Sequence, residues 1–598
     1  MSDVKSYYSV QTNGAAAWLK DGEIAFLNNA SGTNQVWKTD IHGKKPEQLS
    51  FLSERIWRLE AAPDHQSLLF ASDLGGNEQE QIFLIPVGGE PVNLTQNNAA
   101  RHYLGGMTPD GKTVYFSCNG RNPASFDLCR LDVDTRKLTI VVENEDNYNT
   151  PCGVSPDGVY MCYNKLKGMS DNKMWVANML TGETKDVDPA GSFAQYEGPA
   201  WKSDSTGFYL TTDAGSEFKY VAYYDVAAAA LTRVYEAAWD CESIALSADD
   251  RYLAIVINED GYGVLRILDT KTGAMVDAIQ PPKGFINTYA GISWSPEGHR
   301  LLFNFSSGKR PAGIWVLDID EDWLRCVTAS PLGDIDPDTM AEPELHEFHS
   351  FDGLRVPYWL YRAPGAEAGP GPVVLEIHGG PEGQEFPMYS PLIQYLVGQG
   401  FNIVAPNVRG SSGYGKTYVH LDDVEKRLDS VHDVACLVEH LVKTGVADPK
   451  RIAVMGASYG GFMTLSCVAR YPELWAAGID TVGMSNLETF LENTAEYRRA
   501  HRESEYGTLA HDRETLRRVS PIFKVDQITA PMMVIHGAND PRVPVSEAEQ
   551  IVASLKNRGV PVKYLRYEDE GHGLSKRKNQ FDCYPQVAAF LKEQLGVK

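Results

Sequence analysis

The chain has 598 residues, of which 43% are hydrophobic and 22% are charged, a composition typical of a globular protein and not of a disordered chain. Its 79 acidic and 55 basic residues leave a formal net charge of −24, which argues against nucleic acid or a membrane surface as a partner. The nine cysteines have no metal-ligand spacing, and no segment approaches the roughly 18 apolar residues of a membrane helix or resembles a signal peptide. We therefore expect a cytoplasmic protein with reduced thiols.

An acidic turn residue recurs through the first half of the chain, at positions 21, 64, 110, 157, 204, 249 and 297. Successive positions are 43 to 48 residues apart, a spacing typical of propeller blades. In turns such as Pro109-Asp110-Gly111 the aspartate is explained by turn chemistry, so these residues are not assigned a catalytic role.

Short strand-like segments follow each turn, such as Ser67–Ala71 and Thr113–Ser117, and a second segment such as Gln81–Ile85 comes next. Aromatic and β-branched segments between turn residues predict antiparallel sheets. Sheets arranged radially protect one another's edges, so we predict a seven-bladed β-propeller over residues 1–335. A β-sandwich and an open solenoid are the alternatives, and the near-constant spacing favours the closed ring.

The pattern changes after the turn-rich segment Ser330–Thr339, which is the predicted linker. Apolar strands then alternate with longer helical patterns, which predicts an α/β-hydrolase-type domain over residues 341–598 with a mostly parallel, doubly covered sheet. The predicted strands are Pro372–Ile377, Asn402–Ala405, Arg451–Met455, Met532–Ile535 and Val562–Arg566, and the predicted helices are Asp422–Thr444, Tyr459–Tyr471, Ser546–Arg558 and Tyr584–Leu595.

A Gly-x-Ser-x-Gly motif, Gly456-Ala457-Ser458-Tyr459-Gly460, joins a predicted strand to a predicted helix. This is the context of the nucleophile elbow of α/β-hydrolases, where glycines permit a very tight turn. We predict Ser458 as the nucleophile at a helix N-terminus, where backbone N–H groups meet developing negative charge.

A serine hydroxyl needs a base to take its proton, and in α/β-hydrolases the acid and then the histidine follow the serine along the chain. Asp540 comes just after one predicted strand and His572 comes just after the last one. We predict Asp540 as the acid that orients His572, the general base. The alternatives are Asp569 as the acid, His536 or His378 as the base, and a helix-capping role for Asp540.

The oxyanion hole of such an enzyme needs two N–H donors, one after the nucleophile and one in the loop after an earlier strand. Tyr459 is the first predicted donor, and Gly380 in His378-Gly379-Gly380-Pro381 is the second. Each donor is typically worth about 3 kcal/mol of the barrier. This chemistry implies no metal and no organic cofactor.

Five motifs occur in order: His378–Pro381, Asn407–Gly415, Gly456–Gly461, His536–Pro544 and Gly571–Gly573. Together they resemble the prolyl oligopeptidase family of serine peptidases, whose architecture the seven-fold repeat also matches, so the resemblance covers nearly the whole chain. It implies a propeller that covers the cleft, short peptide substrates and an acyl-enzyme. It also implies relatives that are often dimers or larger, so a homo-oligomer is compatible with the sequence.

Within that family, the motif His-Gly-Gly-Pro resembles that of the acylaminoacyl-peptidase and dipeptidyl-aminopeptidase-like branch. Prolyl oligopeptidase itself has a tyrosine donor near this loop, and its absence here weakens a strict assignment to cleavage after proline. The resemblance implies that Arg542 contacts substrate main chain, with a surface salt bridge as the alternative. It also makes Glu78 and Glu80 possible anchors for a substrate amine, although solvated loop charge is the preferred interpretation. The segment Glu492–Tyr506 fits either a cleft wall or a solvated helix face.

We therefore expect a serine peptidase that releases N-terminal (acyl)aminoacyl or dipeptidyl units from short peptides. An esterase or amidase with the same triad is the first rival hypothesis. A non-catalytic scaffold that uses its propeller as a binding module is the second. The sequence does not choose between blocked and free N-termini.

Overall fold

The computed structural model describes residues 3–86, 88–145, 148–168, 170–328, 330–365 and 369–598. Within these residues, seven antiparallel sheets precede one eight-stranded, mostly parallel sheet. The predicted fold class is therefore confirmed: an N-terminal seven-bladed β-propeller is followed by an α/β-hydrolase domain.

The first six blades each consist of four consecutive strands, and the seventh has five. The first three blades contain β1–β4 (Asn13–Trp18, Ile24–Asn28, Gln35–Thr39, Glu47–Gln48), β5–β8 (Ile56–Ala61, Ser67–Ser72, Gln81–Pro86, Val92–Asn93) and β9–β12 (His102–Met107, Thr113–Cys118, Asp127–Asp132, Leu138–Val142). The next two contain β13–β16 (Tyr148–Val154, Tyr160–Leu166, Asn172–Asn178, Thr184–Asp186) and β17–β20 (Tyr196–Trp201, Gly207–Thr212, Tyr220–Asp225, Ala230–Tyr235). The last two contain β21–β24 (Cys241–Leu246, Tyr252–Glu259, Tyr262–Asp269, Met275–Val276) and β25–β29 (Phe285–Ile286, Ile292–Trp294, Arg300–Ser307, Arg310–Asp318, Trp323–Cys326).

The repeated acidic residues lie in the turns that lead into the second strand of each of the first six blades and into the third strand of the seventh. Asp110 shows their role, because its Oδ1 accepts hydrogen bonds from the Thr108 hydroxyl at 2.7 Å and from the Lys112 N–H at 3.1 Å. The carboxylate thereby closes the turn on itself, as turn chemistry predicts for this position.

The ring closes between the first and seventh blades through buried side chains. Asn13 Nδ2 donates to the Ala312 carbonyl and to the Ser330 hydroxyl, both at 3.0 Å, and Asn304 Nδ2 donates to the Asn13 carbonyl at 2.7 Å. Trp18 Nε1 adds a hydrogen bond of 3.2 Å to the Ser293 carbonyl. These side-chain hydrogen bonds join two complete sheets, which also share a buried apolar cluster that contains Trp18 and Ile314.

The hydrolase sheet has the strand order β30-β31-β33-β32-β34-β35-β36-β37. Its strands are β30 Glu344–His349, β31 Arg355–Tyr361, β32 Gly371–Ile377, β33 Asn402–Pro406, β34 Ala447–Ala457, β35 Ala477–Thr481, β36 Met532–Gly537 and β37 Val562–Tyr567. All pairings from β33 to β37 are parallel, so the carboxyl ends of these strands share one edge. Buried apolar side chains cover both faces, as the unbroken apolar strands predicted.

The helices of the described residues are α1 Val4–Ser9, α2 Pro391–Gly398, α3 Lys416–Val419, α4 Arg427–Lys443, α5 Tyr459–Arg470, α6 Leu487–Asn493, α7 Glu496–Tyr506, α8 Arg513–Val519, α9 Ser546–Asn557 and α10 Arg577–Leu595. Helix α10 begins seven residues earlier than predicted, at Arg577 instead of Tyr584. Its first turns are polar and Pro585 lies inside the helix, so the apolar periodicity starts late.

Helix α1 lies against the hydrolase domain, although it belongs to the segment assigned to the propeller from the sequence. Tyr7 packs against Tyr395 with ring centroids 5.7 Å apart, and Tyr8 stacks on Tyr584 at 4.6 Å. Within the described part of the chain, no helix is long and apolar enough to cross a membrane. The cytoplasmic location stays a prediction.

Replacement of Asn13 by alanine should destabilise the propeller, because the side chain is buried. The change removes its hydrogen bonds with the Ala312 carbonyl of the seventh blade, the Ser330 hydroxyl and Asn28 Nδ2. We expect the free energy of unfolding to fall by about 2–3 kcal/mol. Urea denaturation followed by tryptophan fluorescence measures this loss. Asn98→Ala, at an exposed site, is the control, and equal stability of the two variants would contradict the closure role.

Candidate active site

Ser458 lies in a sharp turn between β34 and α5, with backbone angles φ 60° and ψ −116°. A positive φ is unfavourable for a non-glycine residue and persists only where the surroundings hold it. A Cβ on Gly460 would lie 1.9 Å from the Ile377 carbonyl oxygen, and one on Gly456 would lie 2.5 Å from the Gly460 backbone. The two glycines of the motif are thus required by backbone packing, and Ser458 stands half-buried at the carboxyl edge of the sheet.

Asp540 and His572 form a direct hydrogen bond, with Nδ1 of the imidazole 2.7 Å from Oδ2 of the carboxylate. The Asp540 side chain is fully buried, and its other oxygen accepts hydrogen bonds from the N–H groups of Arg542 at 2.8 Å and Val543 at 3.0 Å. These bonds fix the carboxylate, and the carboxylate in turn fixes the imidazole. Asp540 caps the turn Asp540–Val543 and not α9, whose N-cap is Val545.

The loop after β32 passes next to Ser458. A Cβ on Gly379 would lie 3.5 Å from the Ser458 Cβ, and Gly380 has φ +144°. Arg502 on α7 donates to the Gly380 carbonyl at 3.2 Å. Among the described residues, the hydrogen-bond partner of His572 is Asp540, not the Ser458 hydroxyl. Hydrogen bonds between a nucleophile and its base are often long until substrate binds.

Tyr459 begins helix α5 directly after Ser458. Its side chain points away from the turn into the domain, where the hydroxyl donates to Asp422 at 2.9 Å and lies 2.9 Å from the Ser430 hydroxyl. Tyr459 is 1% exposed, and its two hydrogen bonds attach the first turn of α5 to the interior of the domain.

The alternative candidates hold loops. His378 lies 2.9 Å from the Ser411 hydroxyl, and burial lowers the pKa of His378. His536 lies 2.9 Å from the Val543 carbonyl, and burial lowers its pKa too, although the Asp540 charge opposes this. Asp569 pairs with Lys578 at 2.7 Å. None of these three side chains takes part in the hydrogen bond between Asp540 and His572.

The interpretation of Glu78 and Glu80 as solvated loop charges is wrong. Glu78 is 2% exposed and forms ion pairs with Arg542 and, at 2.9 Å, with Arg101, while Glu80 pairs with Arg101 at 2.7 Å. Although burial alone would raise the pKa of Glu78, the charges of Arg542 and Arg101 lower it. The propeller and the hydrolase domain therefore meet in buried ion pairs beside the loop between β36 and α9 that carries Asp540, here called the acid loop. The substrate contact of Arg542 stays a prediction.

Helix α7 forms part of the same junction. Tyr497, Arg498 and Glu505 are buried, which excludes a fully solvated helix face for the segment Glu492–Tyr506. The Tyr497 hydroxyl accepts a hydrogen bond of 3.0 Å from Arg101 of the propeller. The cleft-wall interpretation of this segment is the one that the packing supports.

A propeller loop also touches the acid and histidine loops by its backbone, which the sequence analysis missed. Asn539 donates to the Gly75 carbonyl at 3.2 Å, and a Cβ on Gly571 would lie 2.0 Å from the Gly76 carbonyl oxygen. The adjacent glycines Gly75 and Gly76, outside the repeated turns, were the available signal. The propeller thus helps to position the loop that carries His572.

A group of three carboxylates lies near Tyr459, with one oxygen of each within 4.8 Å of the others: Asp422, Asp423 and Glu505. The buried Arg427 guanidinium pairs with Asp422 and, at 2.9 Å, with Glu505. An arginine already supplies the counter-charge of this acidic group.

Comparisons with known proteins agree with this architecture. The model of the prolyl oligopeptidase N-terminal β-propeller domain matches residues 46–330, and that of the prolyl oligopeptidase family matches residues 387–598. The chain belongs to the prolyl oligopeptidase family of serine peptidases. It has the two-domain fold that its sequence predicted.

Two curated relatives and one solved structure show the extent of the similarity. Dipeptidyl peptidase family member 6 of Caenorhabditis elegans is 36% identical over 38% of the chain and 32% of the relative, so the match spans about a third of that protein. Dipeptidyl aminopeptidase BIII of Pseudoxanthomonas mexicana is 26% identical over 89% of the chain and 79% of the relative. A puromycin-hydrolysing peptidase of Mycobacterium tuberculosis shares the fold, with a TM-score of 0.87, 19% identity and coverage of 100% of this chain and 96% of that one.

Gly571→Ala should lower peptidase efficiency, because the new Cβ must displace the propeller loop, the His572 loop or both. We expect kcat/KM to fall on the order of 10- to 100-fold, since small misplacements of reacting groups are costly. Steady-state kinetics on a chromogenic peptide measures the effect, with circular dichroism as the check on folding. Unchanged kcat/KM in the folded variant would show that the loop contact does not position His572.

Proposed function

We propose that Ser458, His572 and Asp540 carry out the peptidase chemistry of this family member, and that its products are short N-terminal units of peptides. The observation that carries the proposal is the 2.7 Å bond between Asp540 and the His572 Nδ1. It leaves Nε2 as the free nitrogen of the imidazole, on the same sheet edge as the strained Ser458 turn.

In the proposed reaction Ser458 Oγ attacks the peptide carbonyl while His572 Nε2 takes the hydroxyl proton. The tetrahedral intermediate collapses, the C–N bond breaks, and His572 gives its proton to the leaving amine. Water then attacks the acyl-enzyme with His572 again as base, which releases the acyl product and restores Ser458. Asp540 holds the imidazole in the required tautomer and stabilises its positive charge.

We assign the N–H groups of Tyr459 and Gly380 to the oxyanion. Helix α5 directs its first N–H groups and the positive end of its dipole to the turn at Ser458. Gly380 sits in the loop packed against Ser458, with its carbonyl held on the other side by Arg502. This arrangement supports stabilisation of charge that develops only during the reaction.

The charges beside the acid loop support an uncharged substrate N-terminus. Glu78 and Glu80, the residues able to hold an ammonium there, are both paired with arginines. Arg542 is 37% exposed at its side chain and offers its remaining N–H groups to substrate carbonyl oxygens. We therefore favour release of acylated N-terminal residues over release that depends on a free amine at this position.

Asp540→Asn should lower kcat roughly 10,000-fold while the fold is retained, because an amide no longer holds the reactive imidazole tautomer. Hydrolysis of a chromogenic peptide gives kcat, and Ser458→Ala is the blank that should lack turnover. A fluorophosphonate probe should label the wild-type protein at Ser458. Turnover retained by Ser458→Ala would contradict the proposed chemistry.

One alanine amide presented N-acetylated, as a free amine and as a dipeptide should reveal the substrate class. We expect the acetylated form to have the highest kcat/KM, because Glu78 and Glu80, the carboxylates beside Asp540, are already paired with arginines. A preference for the free amine or the dipeptide would contradict this and would direct the search for an anchor to other carboxylates of the cleft. A matched acetylated ester distinguishes a peptidase from an esterase.

A further inference from the structure

Two carboxyl groups lie buried against each other beside the loop His378–Gly383, here called the oxyanion loop. Glu382 belongs to this loop, and its side chain is within hydrogen-bonding reach of Glu505 on α7. Both oxygens of Glu382 are buried, and neither has a hydrogen-bond donor among the residues that the structure describes. Two ionised carboxylates cannot share such a site, so the contact requires a proton.

Glu505 is the member of the pair with a positive partner. Arg427 Nη2 donates to Glu505 Oε2 at 2.9 Å and to the Glu505 carbonyl at 2.8 Å, and the Arg427 side chain is fully buried. Although burial alone would raise the pKa of Glu505, the hydrogen bond from Glu382 and the charge of Arg427 lower it. Burial and the charge of Glu505 raise the pKa of Glu382 well above its usual value. The shared proton therefore resides on Glu382.

The same arginine reaches the first turn of α5. Arg427 Nη1 donates to Asp422, and the Tyr459 hydroxyl donates to Asp422 at 2.9 Å. A continuous set of buried contacts thus runs from Glu382 to the residue that follows Ser458. It joins the two elements that carry the proposed oxyanion donors.

Other charged groups also face Glu382. Arg502, Glu505 and Tyr506 approach it from α7, and Arg502 also bonds to the Gly380 carbonyl. Glu382 borders a cavity of about 440 Å³ between the domains, whose other charged lining residues are Glu197, Asp213, Glu217, Lys219, Asp240, Glu242 and Lys416. Of these groups, Glu505 together with burial raises the pKa of Glu382, and the charge of Arg502 partly opposes them.

We propose that Glu382 is a positioning residue for the oxyanion hole: it donates its proton to Glu505 and so holds the Gly380 N–H toward the site next to Ser458. The inference rests on the proposed function, since it takes Gly380 and Tyr459 as oxyanion donors. As the pH rises and Glu382 ionises, two negative carboxylates come into contact. Their repulsion displaces the oxyanion loop, and kcat falls while substrate binding is largely kept.

The test compares Glu382→Gln with Glu382→Ala in the full-length protein. Glutamine keeps the size and donates an N–H to Glu505 at every pH, whereas alanine removes the bond. We expect Glu382→Ala to lower kcat roughly 10- to 100-fold with little change in KM, a fraction of what a complete oxyanion donor contributes. Glu382→Gln should keep kcat within about threefold of the wild type at pH 7, because donors of similar geometry are worth similar energies.

The pH profile separates positioning from a purely structural role. Wild-type kcat should fall on the alkaline side, and Glu382→Gln should lack that fall. Burial also raises the pKa of Asp422, to about 7. Any part of the change in kcat with pH that is the same in the wild type and in Glu382→Gln is therefore assigned to other groups of the network. An identical alkaline fall in both proteins, or equal loss of kcat in the Gln and Ala variants, would overturn the proposal.

Two controls distinguish a failure of the positioning role from a failure of the proposed function. Circular dichroism and thermal melting show whether each variant folds, and the pH profile of the glutamine variant serves if the alanine variant does not. If hydrolysis requires Ser458 but is indifferent to Glu382→Ala, only the positioning role fails. If hydrolysis does not require Ser458, the proposed function itself fails.

Discussion

Backbone packing that leaves no room for a Cβ underlies the whole active-site edge. Gly460 lies against the Ile377 carbonyl, Gly537 lies against the Gly571 carbonyl, and Gly571 lies against the Gly76 carbonyl, each with space for hydrogen alone. One contact joins β32 to helix α5, and the other two join β36 to the loop that carries His572 and that loop to the propeller. Such packing holds Ser458 at a positive φ that an isolated turn would not maintain.

Buried charge is the second constraint, and it is used at the junction of the domains. Glu78 forms ion pairs with Arg101 of the propeller and with Arg542 of the hydrolase domain. Near the start of α5, Arg427 forms ion pairs with Asp422 and Glu505. Ion pairs of this kind contribute less to stability than to specificity of arrangement, because desolvation offsets most of their attraction. Here they join the propeller to the loop that carries Asp540.

Much of the fold and of the candidate site was predictable from local pattern. The acidic turns at a near-constant spacing predicted the blades, and the elbow around Ser458 predicted a strand followed by a helix. Helix α10 was predicted too short because Pro585 and a polar first turn weaken its periodicity. Glu78 was misjudged because a Gly-rich segment with several polar residues has the composition of a solvated loop, whereas its burial depends on arginines distant in sequence.

The sequence by itself determined the two-domain architecture and indicated the proposed serine, acid and histidine, because each turn of the repeat and each motif is a short local pattern. Only the tertiary structure decided that Asp540 touches His572, that Glu78 pairs with Arg542 across the domains, and that Glu382 meets Glu505. Each of these contacts joins segments far apart in the chain. Their protonation and pairing follow from burial, a property that packing creates and that no local pattern contains.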